Sequence, residues 1–534
     1  MLVSIFNDVI GPVMRGPSSS HCAAALRIGR LAFDLMNHQF SDVLVEFDRK
    51  GSLPTTHDSQ GSDMGLFGGL MGWDAADERL PGSMDTLQKS GVKIRIVTVD
   101  AGDPHPNTYR LTLTDNTDKK AAQHHLRAIS TGGGMMEVID IDGFPVSIYG
   151  DYFETLLWPT GDGKALREAL AFRINADEIV LHQTEGRSLL EVKAQQFVSD
   201  EIIAELRSAG LVGEVRRLAQ VLPVMSQRST TVPFTTCAEM LRYDAGKNTP
   251  IWKLAVAYES ARGGLGERAI IDKMIEIVRI LRRSVAQGIA GTQYDDRVLG
   301  HQSGMFQRRM KEGRLLNGGS LNRIVLYVTA LMEVKSSMGV IVAAPTAGAC
   351  AALPGAVIAM AEEMNLGEEE MAKAMLASGI IGVFIATSFT FAAEVGGCQV
   401  EGGSAASMAA AALVTLAGGT LPQAVAASSM ALQSMIGLIC DPVANRVEVP
   451  CLGKNVMAAS NALSCANMAM SDFDPVIPFD EVVDTAKRVA AQMPRELRCT
   501  SLGGLAITPT SLALEAKLAK NKEAACGTSN CGCG

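Results

Sequence analysis

Three cysteines stand where glycine or proline breaks otherwise weakly charged, helix-like stretches: Cys398 in EVGGCQVEGG, and Cys440 and Cys451 at the two ends of CDPVANRVEVPC. Loops on a rigid scaffold are where reactive side chains are usually presented. Thiols in such places admit three readings: small buried residues between packed helices, a disulfide, or ligands to a metal or cluster. No His or Cys lies at zinc-finger spacing to them and no CxxC occurs, so a structural zinc site is poorly supported. Three separate loop thiols would suit an iron–sulfur cluster with three protein ligands, whose remaining iron stays open as a Lewis acid for a substrate oxygen.

Two N-terminal stretches are rich in donors. GPSSSH (Gly16–His21) puts three hydroxyls and an imidazole at what reads as a helix start, where free N–H groups and the helix dipole favour a carboxylate. STGGG (Ser130–Gly134) offers a turn whose glycines let backbone N–H groups approach an anion. The same residues also suit an ordinary helix cap and a plain turn.

With 534 residues the chain exceeds one ordinary core, and two or three domains are expected. The net charge is -9, with Lys and Arg scattered, which argues against nucleic acid and for a small-molecule partner. Eleven cysteines are too sparse for a disulfide scaffold, and MLVSIFNDVI does not read as a secretory signal, so reduced thiols and a cytoplasmic location are expected. The uncharged runs Ser336–Ala361, Ala374–Ala393 and Gly402–Ile439 reach the ~18-residue length of a spanning helix, which keeps a multi-helix membrane transporter in view. Against it, much of the last run is Ala, Ser, Gly and Thr, and no aromatic belt flanks the runs. Tightly packed core helices explain the same composition, and no membrane partner is expected.

The elements that must position these residues fall into an α+β arrangement. Residues 1–150 read as an α/β domain, with a helix after Ser20 and strands at Asp42–Phe47, Val92–Val99 and Tyr109–Thr114. MEVIDI and PVSIYG form a hairpin around Asp142-Gly143 and Phe144. Residues 151–225 read as a small βαβ module, its last strand in RLAQVLPV. Residues 226–520 read as a large all-α domain: Ile270, Ile271, Met274, Ile277, Val278, Leu281 and Val285 keep helical spacing. Residues 521–534 form a Cys- and Gly-rich tail.

GPSSSH, GSL (Gly51–Leu53), STGGG, APTAGAC (Ala344–Cys350), EVGGCQVEGG, CDPVANRVEVPC and GGLA (Gly503–Ala506) occur in the order and approximate spacing of the iron-sulfur-dependent L-serine dehydratases. Over about residues 1–515 the chain resembles that family, with a β-chain-like and an α-chain-like half in one polypeptide. The resemblance implies a [4Fe-4S] cluster on Cys398, Cys440 and Cys451, and L-serine ammonia-lyase activity giving pyruvate and ammonia in serine catabolism. It also implies substrate binding by Ser18, Ser19, Ser20, Thr346 and the Gly132, Gly133, Gly134 turn. His21, with an ordinary pKa of about 6.5, is the candidate acid/base group. Residues 151–225 occupy the place of an ACT-type module, although its ligand-binding glycine turn is not evident. A homodimer is the expected assembly.

Two departures bear on the substrate. Where the family shows Gly-His-x-Thr-Asp, this chain reads SQGSD (Ser59–Asp63), so Gln60 replaces an imidazole and His57 sits three residues earlier. Ala347 stands where Asn is usual. Another β-hydroxy or β-substituted amino acid is therefore the alternative substrate, and a cluster-bearing sensor without activity is a further reading. Cys350 reads as lining, and Cys22, Cys237, Cys465 and Cys499 as core or lining residues. Of the tail thiols Cys526, Cys531 and Cys533, the last is the expected resting-state fourth ligand.

Overall fold

A computed structural model describes residues 2–116, 122–184, 186–228 and 230–527, with side chains through Lys520. Six strands form the first sheet: β1 (Asp42–Asp48), β2 (Lys93–Val99), β3 (Thr108–Asp115), β4 (Ala122–Gly132), β5 (Met135–Ile141) and β6 (Phe144–Ile148). Their order is β2-β1-β3-β4-β5-β6, with only β1 and β2 parallel. Alternate residues point inward, as a pleated strand requires, so Tyr109, Leu111 and Leu113 of β3 are buried under helix α1 (Ala24–Leu35), whose Ile28, Leu31 and Leu35 join the same core. The Asp142-Gly143 hairpin forms as expected, both residues having positive φ, 54° and 84°. Strand β4 carries no strong strand signal, because it opens with Ala, Gln and two His; pairing on both edges, with β3 and β5, holds it extended.

The middle module is larger than the expected βαβ unit. Strand β7 (Phe153–Pro159), helix α2 (Lys164–Ala171), strands β8 (Glu178–Thr184) and β9 (Arg187–Ala194), helix α3 (Asp200–Ser208) and strand β10 (Val212–Leu218) make a βαββαβ unit with antiparallel order β10-β7-β9-β8. This is the ferredoxin-like arrangement. The last strand ends at Leu218, ahead of most of RLAQVLPV, where Leu222 and Val224 are buried in an irregular segment instead.

The C-terminal half is helical. Its centre is α6 (Glu368–Ser388), packed against α4 (Ile251–Gly263), α5 (Glu267–Ala290) and the Ala-rich α7 (Ser404–Leu416). Among the described residues α6 alone is long and apolar enough to cross a membrane, and 78% of its most apolar stretch is buried inside the protein. The other uncharged runs are broken into separate helices packed against one another, so they carry no spanning segment of that length. Small residues in α7 let it sit close to α8 (Leu421–Gln433) and α9 (Cys451–Met470) at once.

The two halves are interlocked. The N-terminal turn Ile5–Val9 inserts among the helices, where Ile5 and Val9 pack into space left by Gly379 and Gly382 of α6. Val13 and Met14 pair with Val342 and Ile341, just before the APTAGAC loop. The terminal helix α10 (Pro509–Gly527) runs past the expected start of the tail at residue 521, since NKEAAC continues a run of helix formers. Cys531 and Cys533 lie outside the described residues, as does the side chain of Cys526.

Candidate active site

Three helix starts and one loop build the site. Ser19–Ala23 and Gln399–Gly403 are widened π-type turns leading into α1 and α7, and Cys451 is the first residue of α9. Such turns re-aim side chains and recur at functional sites. The loop before residue 352 ties the starts together. Its Ala347 N–H donates to Ser19 Oγ at 3.1 Å, its Thr346 Oγ1 donates to Glu401 Oε1 at 2.6 Å, and its Gly348 carbonyl accepts from Asn455 Nδ2 at 2.8 Å. Of the expected substrate groups, Ser19, Ser20 and Thr346 are buried and Ser18 is half-buried.

Two of the three expected ligand thiols come together, and Cys451 belongs to the neighbouring helical core. Cys398 and Cys440 lie with Glu401 so that one donor atom of each falls within 4.8 Å of the others, and both pack with Ala393 and Cys499. Cys440 is within hydrogen-bond reach of Cys398 and Cys499; these contacts and burial push its thiol well above the ordinary range. Cys451 is also raised, by burial and then by Cys398. Cys398, Cys440 and Cys499 pack in one small cluster, whereas Cys451 lies in the adjoining helical core, and a bound metal would invert the acidity of thiols so placed. Two cations already lean toward the group. Lys454 Nζ lies 3.7 Å from Cys398 Sγ and 2.8 Å from Asp441 Oδ1, and although burial opposes its charge, Cys398 and Asp441 raise its pKa overall. Fully buried Lys335 donates to the Val447 carbonyl beside the same thiols.

His21 has no exposed surface. Its Nε2 is 2.8 Å from Thr56 Oγ1, and the Thr56 hydroxyl already donates to the Ser52 carbonyl at 2.8 Å, so Thr56 can only accept from the ring and the proton belongs on Nε2. The lone pair is then on Nδ1, facing Ser18 Oγ at 3.0 Å and Glu394 Oε1 at 3.5 Å. Burial, with His57 adding, lowers the His21 pKa to about 3, so the resting ring is neutral. Behind it, the Gly132–Gly134 turn forms the β4–β5 hairpin rather than a free loop. Gly132, at φ 102°, brings its backbone so close to Ala392 N that a Cβ would stand 2.5 Å away. This seats the hairpin directly beside Glu394.

The family described as "Serine dehydratase alpha chain" matches residues 246–506. A "Probable L-serine dehydratase, alpha chain" of Bacillus subtilis is 36% identical over 285 residues, 53% of this chain and 95% of the relative. The "Probable L-serine dehydratase, beta chain" of the same organism is 32% identical over 222 residues, 40% of this chain and 98% of the relative. An "L-serine dehydratase" of Streptomyces coelicolor aligns at 26% identity over 514 residues, 95% of this chain and 99% of the relative. The chain belongs to the L-serine dehydratase family. It is a lyase with the two chain types joined in one polypeptide.

Several residues of this dehydratase site escaped the sequence reading. Glu394 is 4% exposed, and burial, with Glu401 adding to it, raises its pKa to about 7. Among the described residues, the buried Ser130 Oγ has no hydrogen-bond partner, and the buried Glu394 Oε2 and Asn107 Nδ2 have none beyond each other's side chains. Asn107 and Ser130 are joined through their backbones, Ser130 N to Asn107 O at 3.0 Å, and the Asn107 amide lies beside Glu394. Unpartnered buried polar atoms are costly and rare in folded proteins, and here they gather on the side of the site where His21 presents Nδ1. A usable signal was present: Glu394 ends one long uncharged run and Glu401 precedes the next, on either side of Cys398. At the two departures, Gln60 Nε2 donates to Asn445 Oδ1 at 3.2 Å, His57 Nδ1 pairs with Asp63 Oδ2 at 2.8 Å, and Ala347 is wholly buried.

Proposed function

We propose that the chain eliminates water from L-serine, yielding pyruvate and ammonia, with a [4Fe-4S] cluster held by Cys398, Cys440 and Cys451. The observation that carries this reading is the meeting, in one buried region built by both halves, of the thiol group with the His21–Glu394 pair. The donor set suits such a cluster: soft thiols from three separate segments, buried, and flanked by the ammonium groups of Lys335 and Lys454. When bound, a cluster with an open iron supplies a Lewis acid that makes the β-hydroxyl a better leaving group.

The chain's own residues supply the rest. The α-proton is taken by His21 Nδ1, the one nitrogen of that ring with a free lone pair. Left alone, a ring so buried resists protonation. An ionised Glu394 at 3.5 Å offsets this by pairing with the imidazolium, so the two side chains share the proton. Ser130 Oγ, a buried donor without a partner among the described residues, meets the substrate carboxylate together with Ser18, Ser19, Ser20 and the Gly132–Gly134 turn, while Asn107 Nδ2 faces Glu394 and Thr346, whose hydroxyl hydrogen goes to Glu401, borders the substrate. Burial excludes bulk water, so the enamine that leaves the reaction is hydrolysed after release or by admitted water.

The test is anaerobic purification with iron and sulfide analysis, followed by pyruvate and ammonia release from L-serine, L-threonine, L-cysteine and 3-hydroxyaspartate. Iron with serine turnover supports the reading, and iron-free protein with full turnover sinks the cofactor assignment. Gln60 and Ala347 favour a second reading, the same elimination on another β-hydroxy amino acid, which turnover of a different member of that panel would establish.

A further inference from the structure

Beside the Gly132–Gly134 turn lies a separate cavity of about 490 Å³ that holds none of the groups assigned to the elimination. It is enclosed by residues 10–13 and helix α1 of the N-terminal half, residues 220–223 after strand β10, and helix α5 of the helical half. Ile10, Pro12, Ile277 and Ile280 give it an apolar wall, and its polar side carries Arg27, Arg30 and Lys273. The acids that line it, Asp74 and Glu276, are already committed, to Arg30 at 3.1 Å and to Arg279 at 2.5 Å.

Arg27 is the unusual member. It is 5% exposed, and among the described residues no carboxylate stands within ion-pair distance of it. Burial lowers its pKa to about 10, with Asp8 opposing and Arg30 adding, so the group stays charged at neutral pH. Asp8 is too far away to pair with it, and its Oδ2 accepts from Ser4 N at 2.8 Å. The hydrogen bonds of Arg27 leave from Nη1, to the Gly134 carbonyl at 2.6 Å and Met135 Sδ at 3.5 Å. Nε–H and Nη2–H remain, the edge of a guanidinium that grips a carboxylate with two parallel bonds. A buried cation without a counter-charge is costly, so a cavity that keeps one suits an anion. Gln220, on the same lining, has a buried Oε1 with no partner among the described residues, an acceptor for an N–H or O–H of the same ligand.

Two contacts join this cavity to the active site. Arg27 holds the Gly134 carbonyl, and Pro12 abuts Gly134 so closely that a Cβ there would stand 2.9 Å from Pro12 Cδ. We propose that the cavity binds a small aliphatic carboxylate carrying an amino or hydroxyl group, and that its occupancy shifts the Gly132–Gly134 turn and with it the KM for substrate. The ligand acts through the different contacts it makes with Arg27 in the two positions of the turn. The site goes beyond the elimination reading, and its binding is tested independently of it.

Isothermal titration calorimetry on the full chain with L-valine, 2-hydroxyisovalerate and L-valinamide reads binding, and L-serine turnover by the same protein reads the coupling. At least one of the two carboxylates should bind at a saturable site, and L-valinamide, which lacks the carboxylate, should bind about tenfold more weakly or worse. Lys273→Met should weaken binding about tenfold, and Ile277→Phe, which narrows the apolar wall, should weaken it further; neither changes turnover without ligand. Arg27→Met should abolish binding, and if it fails to fold the two α5 variants carry the test. Saturating ligand should change the wild-type KM for L-serine about threefold and leave that of Lys273→Met unmoved at the same concentration. No saturable binding at ~10 mM, equal binding of L-valinamide, or unchanged binding in both α5 variants overturns the site. A KM that does not move, or that moves equally in Lys273→Met through competition at the active site, overturns the coupling. Binding by a chain without L-serine turnover supports the site and counts only against the elimination reading.

Discussion

Glu394→Gln is the most informative single change, because it keeps the shape of the side chain while removing its charge. The carboxyl is held at about 7 by burial first and Glu401 second, against an unfolded value of 4.5. Between those values the folded protein binds more protons than the unfolded chain, so stability from this group is full below pH 4.5 and is lost as pH rises through 7. The displacement amounts to about 3 kcal/mol once the group is ionised. Glutamine carries no such cost. Urea midpoints of cluster-free protein should therefore show the variant gaining on wild type by roughly 2 kcal/mol between pH 5 and pH 8. The same change should remove the partner of the His21 imidazolium. In wild type kcat/KM should rise through about pH 7 as Glu394 ionises, and in the variant that limb should vanish with kcat lowered about 100-fold or more. A stability difference that does not vary with pH, or a variant that keeps both kcat and the acidic limb, would refute the reasoning.

Three other outcomes follow from the geometry. Thr56→Val leaves the His21 Nε2–H without an acceptor and should cost about 1–3 kcal/mol in urea unfolding, with a loss of kcat as the ring tautomer is released. Gly132→Ala places a Cβ 2.5 Å from Ala392 N at a φ of 102°, so the hairpin must shift away from Glu394; thermal unfolding should fall and KM for L-serine should rise. Serine at Cys398, Cys440 or Cys451 should each lower bound iron with little change in far-ultraviolet circular dichroism, and unchanged iron in any one of them removes that residue from the ligand set.

Much of the architecture was legible because it depends on local pattern. The amphipathic spacing from Ile270 to Val285 gave the expected helix, here α5, and the Asp142-Gly143 pair gave a hairpin. The module after residue 151 was only half read. Strand β7 and helix α2 went unnoticed, because FETLLWP and KALREALA are each short and become an element only when paired in a sheet or packed on one. Strand β4 was missed for the same reason. At the site, Cys398, Cys440, Cys451 and the GPSSSH run were visible as motifs, whereas Glu394, Asn107 and Cys499 were not, since nothing about one Glu, Asn or Cys in a chain announces its neighbours.

The sequence by itself determined the residue types available for chemistry, their placement in glycine- and proline-broken loops, and a helical half packed through small side chains. These are set by propensities and spacings acting over a few residues. Only the tertiary structure decided where protons sit and which thiols meet. His21 is neutral with its lone pair on Nδ1 because Thr56 and Ser52 lie where they do, and Glu394 titrates near neutrality because residues from both halves exclude water from it. Cys499 joins Cys440 across 59 residues of chain because the Ala393 and Leu497 carbonyls tie their segments together. Burial and electrostatics are properties of the assembled surroundings, and no stretch of the chain carries them alone.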